Sequence, residues 1–151
     1  MALSLALYQP DIPQNTATLL RTGACLDVPV HVILPAGFAM SDKNFRRAGM
    51  DYLDKAALTQ HIDWPAFQAF CRAEGRRIIL LSTKASQTYT SFEFRDNDVL
   101  MLGRESVGVP DEVHNAADAR VLIPMLSEAR SLNVAISGAM VLGEALRQIS
   151  L

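Results

Sequence analysis

Short runs at residues 3–8, 28–34, 77–82, 99–102 and 120–123 are apolar through their centres, without alternation of apolar and polar positions. A strand with one wet face alternates, so strands of this kind need cover on both faces, which a parallel sheet between helices provides. The stretches between the runs carry helix signals. The pattern predicts an α/β chain: a mainly parallel sheet flanked by helices.

Local punctuation sets the order of elements. Gln9-Pro10-Asp11-Ile12-Pro13 reads as a loop, because each proline restricts itself and the residue before it. A helix is expected from near Asn15, with Asn15 or Thr16 as its cap, Leu19, Leu20 and Ala24 inward, and Gly23 weakening the last turn. Pro35 and Gly37 end the second strand. Residues 41–55 read as a short helix and an exposed loop, with Lys43, Arg46, Arg47 and Lys55 set against Asp42, Asp51 and Asp54. Asp63 caps a helix opened by Trp64-Pro65, with Phe67, Phe70 and Cys71 inward and Gly75 at its end. Residues 83–98 form a polar, aromatic-spotted connection. Pro124 stops the last strand, and a polar turn delivers a terminal helix over 135–148. There Ile136, Ala139, Gly143 and Leu146 share a face, and Ser137, Gly138 and Gly143 keep the surface nearly flat, ready for a close neighbour.

With 151 residues, half of them hydrophobic and 20% charged, the chain suits one folded domain over 1–151 and is not disordered. No apolar run reaches the length of a bilayer span and no basic leader precedes the first strand, so a soluble, cytoplasmic protein is expected. Cys25 and Cys71 lack metal-ligand spacing and are expected as buried thiols, with no disulfide framework and no metal site. His31, His61 and His114 share no spacing and are assigned structural or surface places. A net charge of −2 argues against a surface coated in positive charge, so any nucleic-acid site must be local.

Polar clusters follow the apolar runs at Asn15 with Arg21, at residues 103–110, and at 123–133. Ligands of open parallel sheets sit outside the carboxyl ends of the strands, so these loops can converge on one pocket. Gly103 and Gly108 are not followed by the Lys-Ser/Thr of a phosphate-binding loop, and no G-x-G-x-x-G occurs, which argues against ATP and NAD. Singly, each residue also suits an ordinary role. Arg21 fits a helix surface, Glu105 a solvated loop or helix cap, Ser131 and Asn133 helix caps, and the Lys43, Arg46 and Arg47 run a solvated face.

Together the clusters resemble the three motifs of the SPOUT class of RNA methyltransferases, whose C-terminal part forms a trefoil knot. The first motif is Pro13-Gln14-Asn15-Thr16 through Arg21, the second Leu102-Gly103-Arg104-Glu105 through Gly108-Val109-Pro110, and the third Ile123-Pro124-Met125 through Ser131-Leu132-Asn133. Arg46-Arg47-Ala48-Gly49-x-Asp51-Tyr52 and Ser82-Thr83-Lys84 extend the likeness over nearly the whole chain. The pattern is similar to the small stand-alone tRNA 2′-O-methyltransferases of the wobble nucleotide. Arg104 stands where the second motif commonly has proline, Gln14 replaces another common proline, Ile136 a frequent Asn, and Gly143 an aromatic residue.

The resemblance implies a knotted, cytoplasmic homodimer that methylates the ribose 2′-oxygen of nucleotide 34, cytidine or modified uridine, of leucine tRNAs. S-adenosylmethionine would be the donor and S-adenosylhomocysteine the product. Leu81, Gly103, Ile123, Met125, Ser131 and Leu132 would line the cofactor pocket. Asn15, Arg21, Glu105, Ser131 and Asn133 would face the ribose, and Lys43, Arg46, Arg47 and Lys84 would hold the anticodon stem-loop. Alternatives of the same fold are a 2′-O-methyltransferase for another tRNA or rRNA position and a non-catalytic RNA-binding dimer.

Overall fold

Apolar runs that must hide both faces assemble into a single layer. The computed structural model describes residues 3–41, 43, 57–128 and 132–150. Its strands are β1 (Ser4–Tyr8), β2 (Val30–Ile33), β3 (Leu58–His61), β4 (Ile78–Leu81), β5 (Val99–Leu102) and β6 (Ala119–Val121). All pair in parallel, in the order β3-β2-β1-β5-β4-β6. The helices are α1 (Pro13–Leu26), α2 (Trp64–Ala73), α3 (Asp111–Ala116) and α4 (Val134–Ser150).

The sheet separates two cores. On one face Leu5, Leu7, Val32, Ile79, Leu100 and Leu102 meet Leu19 and Leu20 of α1 and Val141 and Leu142 of α4. On the other, Ala6, Tyr8, Ile33, Leu80 and Met101 meet Trp64 and Phe67 of α2 and Val113 of α3. Each fully buried Leu or Phe contributes about 1.5–3 kcal/mol relative to exposure. This two-sided burial is why the strands show no polar alternation.

Several local expectations are corrected. Helix α1 begins at Pro13, not Asn15, because proline's fixed φ and missing N–H suit a first helical turn; Ile12 stands at the cap without a side-chain bond. Gly23 does more than weaken a turn: a Cβ there would lie 2.4 Å from the Val28 carbonyl oxygen, so the glycine permits the close return into β2. Strand β3 has no apolar run to announce it, since Thr59 and Gln60 are exposed on the sheet edge. Helix α3 is too short to show a period. Cys25 is exposed, on the outer side of α1, whereas Cys71 is buried and its thiol is pushed up to about 12 by that burial.

His31 and His61 are not isolated. Register places both on the α2 side of β2 and β3, where His31 Nδ1 and His61 Nε2 share a 2.9 Å hydrogen bond among the rings of Phe67 and Phe70. They are 5% and 7% exposed. Burial depresses both pKa values, that of His31 to about 4, with His61 adding to the effect.

Other expectations hold. Asp63 caps α2, its Oδ1 accepting from Ala66 N at 2.9 Å, and Phe67 and Cys71 point inward. The connection over 83–98 is less polar in place than in sequence, because Phe92 and Phe94 are buried edge to face. Gln148 of α4 donates to Phe92 O and accepts from Phe94 N, both at 2.9 Å, fastening the last helix to that connection. The inward face of α4 is Ala135, Gly138, Val141, Leu142 and Ala145, while Ile136 and Gly143 turn outward. Gly138 therefore serves packing within the chain: a Cβ there would meet Leu19 at 2.9 Å and Leu102 at 3.0 Å. Among the described residues no helix is long and apolar enough to cross a membrane.

Candidate active site

Parallel strands deliver all their carboxyl ends to one edge of the sheet, and there a cavity of about 370 Å³ opens. Leu80, Leu81, Leu102, Val121 and Ile123 give it apolar walls. Glu105, Lys84, Ser82, Thr83 and Ser137 give it polar ones. A volume in the range of small-molecule sites, about 300–1,000 Å³, and this mixture suit a nucleoside-sized ligand with charged ends.

The β5–α3 loop is tightly folded. Arg104 and Gly108 exchange backbone hydrogen bonds, each 2.9 Å, and Gly108 takes φ +71°, a conformation glycine adopts readily. Any Cβ on Gly103 would lie 2.8 Å from the Gly108 backbone, so a side chain there would force the loop open. The glycines thus keep the backbone itself as the cavity wall.

Asp11, which carries no signal in the sequence beyond its place between two prolines, ties this loop to the one after β1. Its Oδ1 accepts from Arg104 Nε at 3.0 Å and also from Arg104 Nη2. Its Oδ2 accepts from the Ser106 hydroxyl at 2.6 Å, and its own N–H donates to Glu105 Oε2 at 2.8 Å. The bonds from Arg104 and Ser106 hold the Asp11 carboxyl at a pKa of about 2, and the same pairing raises that of Arg104. Glu105 is thereby given a fixed direction at the cavity wall.

The third loop contributes through its helix. Asn133 Oδ1 accepts from Ala135 N at 2.8 Å and Ile136 N at 3.2 Å, the geometry of a helix cap. Its amide nitrogen donates to Asn15 Oδ1 at 3.1 Å, so one side chain caps α4 and holds a residue of the first turn of α1.

Leu81, Gly103, Ile123, Met125, Leu132 and Glu105 all line the cavity. Asn15 and Asn133 are joined at the helix openings. Arg21 lies on the exposed surface of α1, nearly two turns beyond Asn15, and is not part of the cavity wall. Ser131, Arg46 and Arg47 lie outside the described residues, and Lys43 is exposed. Lys84, expected on an RNA surface, belongs to the cavity wall. Among the described residues, no group of three or more His, Cys, Asp or Glu is placed to hold a metal ion.

These features define an α/β protein with a small-molecule site built from the loops at the carboxyl edge of a parallel sheet. The chain matches the SpoU rRNA Methylase family over residues 2–143 and belongs to it. Among its relatives is a tRNA (cytidine(34)-2′-O)-methyltransferase of Beijerinckia indica, 63% identical over 96% of this chain and 91% of the other. A solved structure described as giving insights into 2′-OH methylation of C/U34 on tRNA superposes with a TM-score of 0.90 at 38% identity, covering 97% of this chain and 95% of that one. An AdoMet-bound rRNA methyltransferase from Sinorhizobium meliloti superposes with a TM-score of 0.88 at 25% identity, over 97% of this chain and 56% of that chain.

Proposed function

We propose that residues 1–151 form one catalytic domain, knotted at its C-terminus, that methylates the ribose 2′-oxygen of the wobble nucleotide of tRNA. Cytidine or modified uridine at position 34 of leucine tRNAs is the substrate, S-adenosylmethionine the donor and S-adenosylhomocysteine the product. The observation that carries the reading is the Asn133–Asn15 bond at the opening of α4, where the neighbouring Leu132 and Val134 line the same apolar-walled cavity as Glu105, in a chain whose relatives are named for this reaction. The pairing of the chain after β6 with the 82–89 connection supports the knot: Ser82 N donates to Val121 O, while Leu122 pairs with Gln87 and Tyr89.

The cofactor fits what is present. The apolar walls formed by Leu81, Leu102 and Ile123 suit adenine, and the Gly103–Gly108 wall, closed to any side chain, leaves backbone at the ligand. When bound, it supplies a methyl group already made electrophilic by a sulfonium. The protein's part is to align a poorly acidic hydroxyl with it and to assist loss of the hydroxyl proton. Asn15 and Asn133 orient the ribose, Glu105 contributes a fixed carboxylate, and Ser131 joins them. Arg21 acts as an electrostatic and orienting group, since a guanidinium holds its proton too tightly for a base. Lys43, Arg46 and Arg47 bind phosphates of the anticodon loop, where RNA is read unpaired.

The working form is a cytoplasmic homodimer. Supporting this, α4 turns Ile136, 54% exposed, and Met140, 39% exposed, outward with the open surface at Gly143. The test is to incubate the protein with labelled S-adenosylmethionine and bulk tRNA, digest, and map the label. The result expected is a 2′-O-methyl group at nucleotide 34. Label on a base, at another position, or only on rRNA would overturn the assignment.

A further inference from the structure

We infer that Lys84 receives the carboxylate of the bound S-adenosylmethionine, an assignment that rests on the cofactor reading above. At neutral pH that molecule carries a sulfonium, an ammonium and one anionic group, its carboxylate. A cavity that holds it needs a cation for the carboxylate, and it must not surround the sulfonium with further positive charge.

The Lys and Arg side chains on the cavity wall, among the described residues, are Lys84 and Arg104. Arg104 is committed: Nε and Nη2 both donate to Asp11, so its charge is met within the protein. Lys84 is held only by its backbone, its N–H donating to Ser82 Oγ at 3.1 Å in a turn closed by Ala85 N to Ser82 O at 3.2 Å. Among the described residues, its ammonium has neither a hydrogen bond nor an ion pair. The turn follows directly from the carboxyl end of β4, so the backbone that carries Lys84 is fixed to the strand whose Leu80 and Leu81 form the apolar wall. A flexible stem on a fixed turn lets one ammonium reach a carboxylate at the cavity's polar end. Glu105, whose carboxylate accepts from Asp11 N, supplies negative charge on the same wall and serves the cationic groups instead.

The experiment is calorimetric titration of the full chain with S-adenosylmethionine and with decarboxylated S-adenosylmethionine, which keeps the adenosine, sulfonium and amine. Lys84→Met should weaken S-adenosylmethionine about five- to tenfold, the size of one partly exposed charge-assisted contact. It should leave the decarboxylated compound unchanged, and Lys84→Arg should retain most of the affinity. Equal weakening of both compounds by Lys84→Met, or of neither, overturns the inference. So does unchanged S-adenosylmethionine affinity with a raised KM for tRNA, which returns Lys84 to an RNA phosphate. Wild-type protein that binds neither compound refutes the cofactor reading itself, an outcome distinct from a wild type that binds both with equal affinity, which refutes only the role of Lys84.

Discussion

Breaking the Asp11–Arg104 latch should loosen the cavity wall and cost measurable stability. The Asp11 carboxylate takes two bonds from Arg104 and one from the Ser106 hydroxyl, and the side chains of the ion pair are 19% and 32% exposed. Fully exposed pairs contribute about 0–1 kcal/mol, whereas removing one partner of a buried pair costs about 3–5 kcal/mol. This half-covered, two-bonded pair falls between, with a coupling of about 1–2 kcal/mol. Including the Ser106 bond, Asp11→Ala should cost about 2 kcal/mol, or about 4–8 °C in Tm for a chain of this size. The assay is a double-mutant cycle: thermal unfolding of the wild type, Asp11→Ala, Arg104→Ala and the double variant, with calorimetric S-adenosylmethionine binding on each. Both single variants should bind the cofactor more weakly, because the loop they release is the wall. The latch contribution is fully present above the ordinary Asp value of 3.8 and is lost as pH falls through about 2. Strictly additive single effects, with a coupling under about 0.3 kcal/mol, would refute the latch.

Three further outcomes follow from the same geometry. Asn133→Asp keeps an oxygen cap, and its charge suits a helix N-terminus, but it loses the amide donor to Asn15. Methyl transfer should therefore fall at least tenfold with Tm unchanged, measured by filter-bound label and melting; full activity would remove Asn133 from the site. Gly138→Val should destabilise by about 1–3 kcal/mol in a melt, since its Cβ meets Leu19 and Leu102 and has little room to shift; a neutral result would mean the α1–α4 packing is looser than described. Buried neutral His31 lowers stability as pH falls, because the unfolded chain takes up a proton near 6.5 while the folded ring resists until about 4. Chemical unfolding of wild type and His31→Phe between pH 7 and 4 should show a steeper decline for the wild type, and parallel curves would contradict the buried neutral pair.

The parts of this fold visible in sequence are those where one physical requirement dominates. Strands β1 and β5 are buried on both faces and, after Ser4, carry no strongly polar residue, so their class and positions are plain. β3 is an edge strand with two exposed polar residues, and its place follows from backbone pairing with β2, which side chains do not encode. The His31–His61 pair is hidden for a related reason: two strands bring together residues thirty positions apart, and only register shows that they meet. In the cavity, Gly103, Glu105 and Ile123 were legible because three motifs in order resemble a known class, although each residue alone has an ordinary explanation. Asp11 was not, since an aspartate between prolines looks like any loop residue until Arg104 and Ser106 fold back on it. Lys84 was legible as a cation but not as part of the cavity wall, because a charge by itself does not say which ligand it faces.

The measurement that bears most directly on the account is mass mapping of the tRNA wobble nucleotide in cells lacking this protein, with and without the wild-type chain restored. In those cells 2′-O-methylation at position 34 of leucine tRNAs should disappear, return with the wild type, and not return with Gly103→Trp. Unaltered methylation at nucleotide 34 in those cells would contradict it.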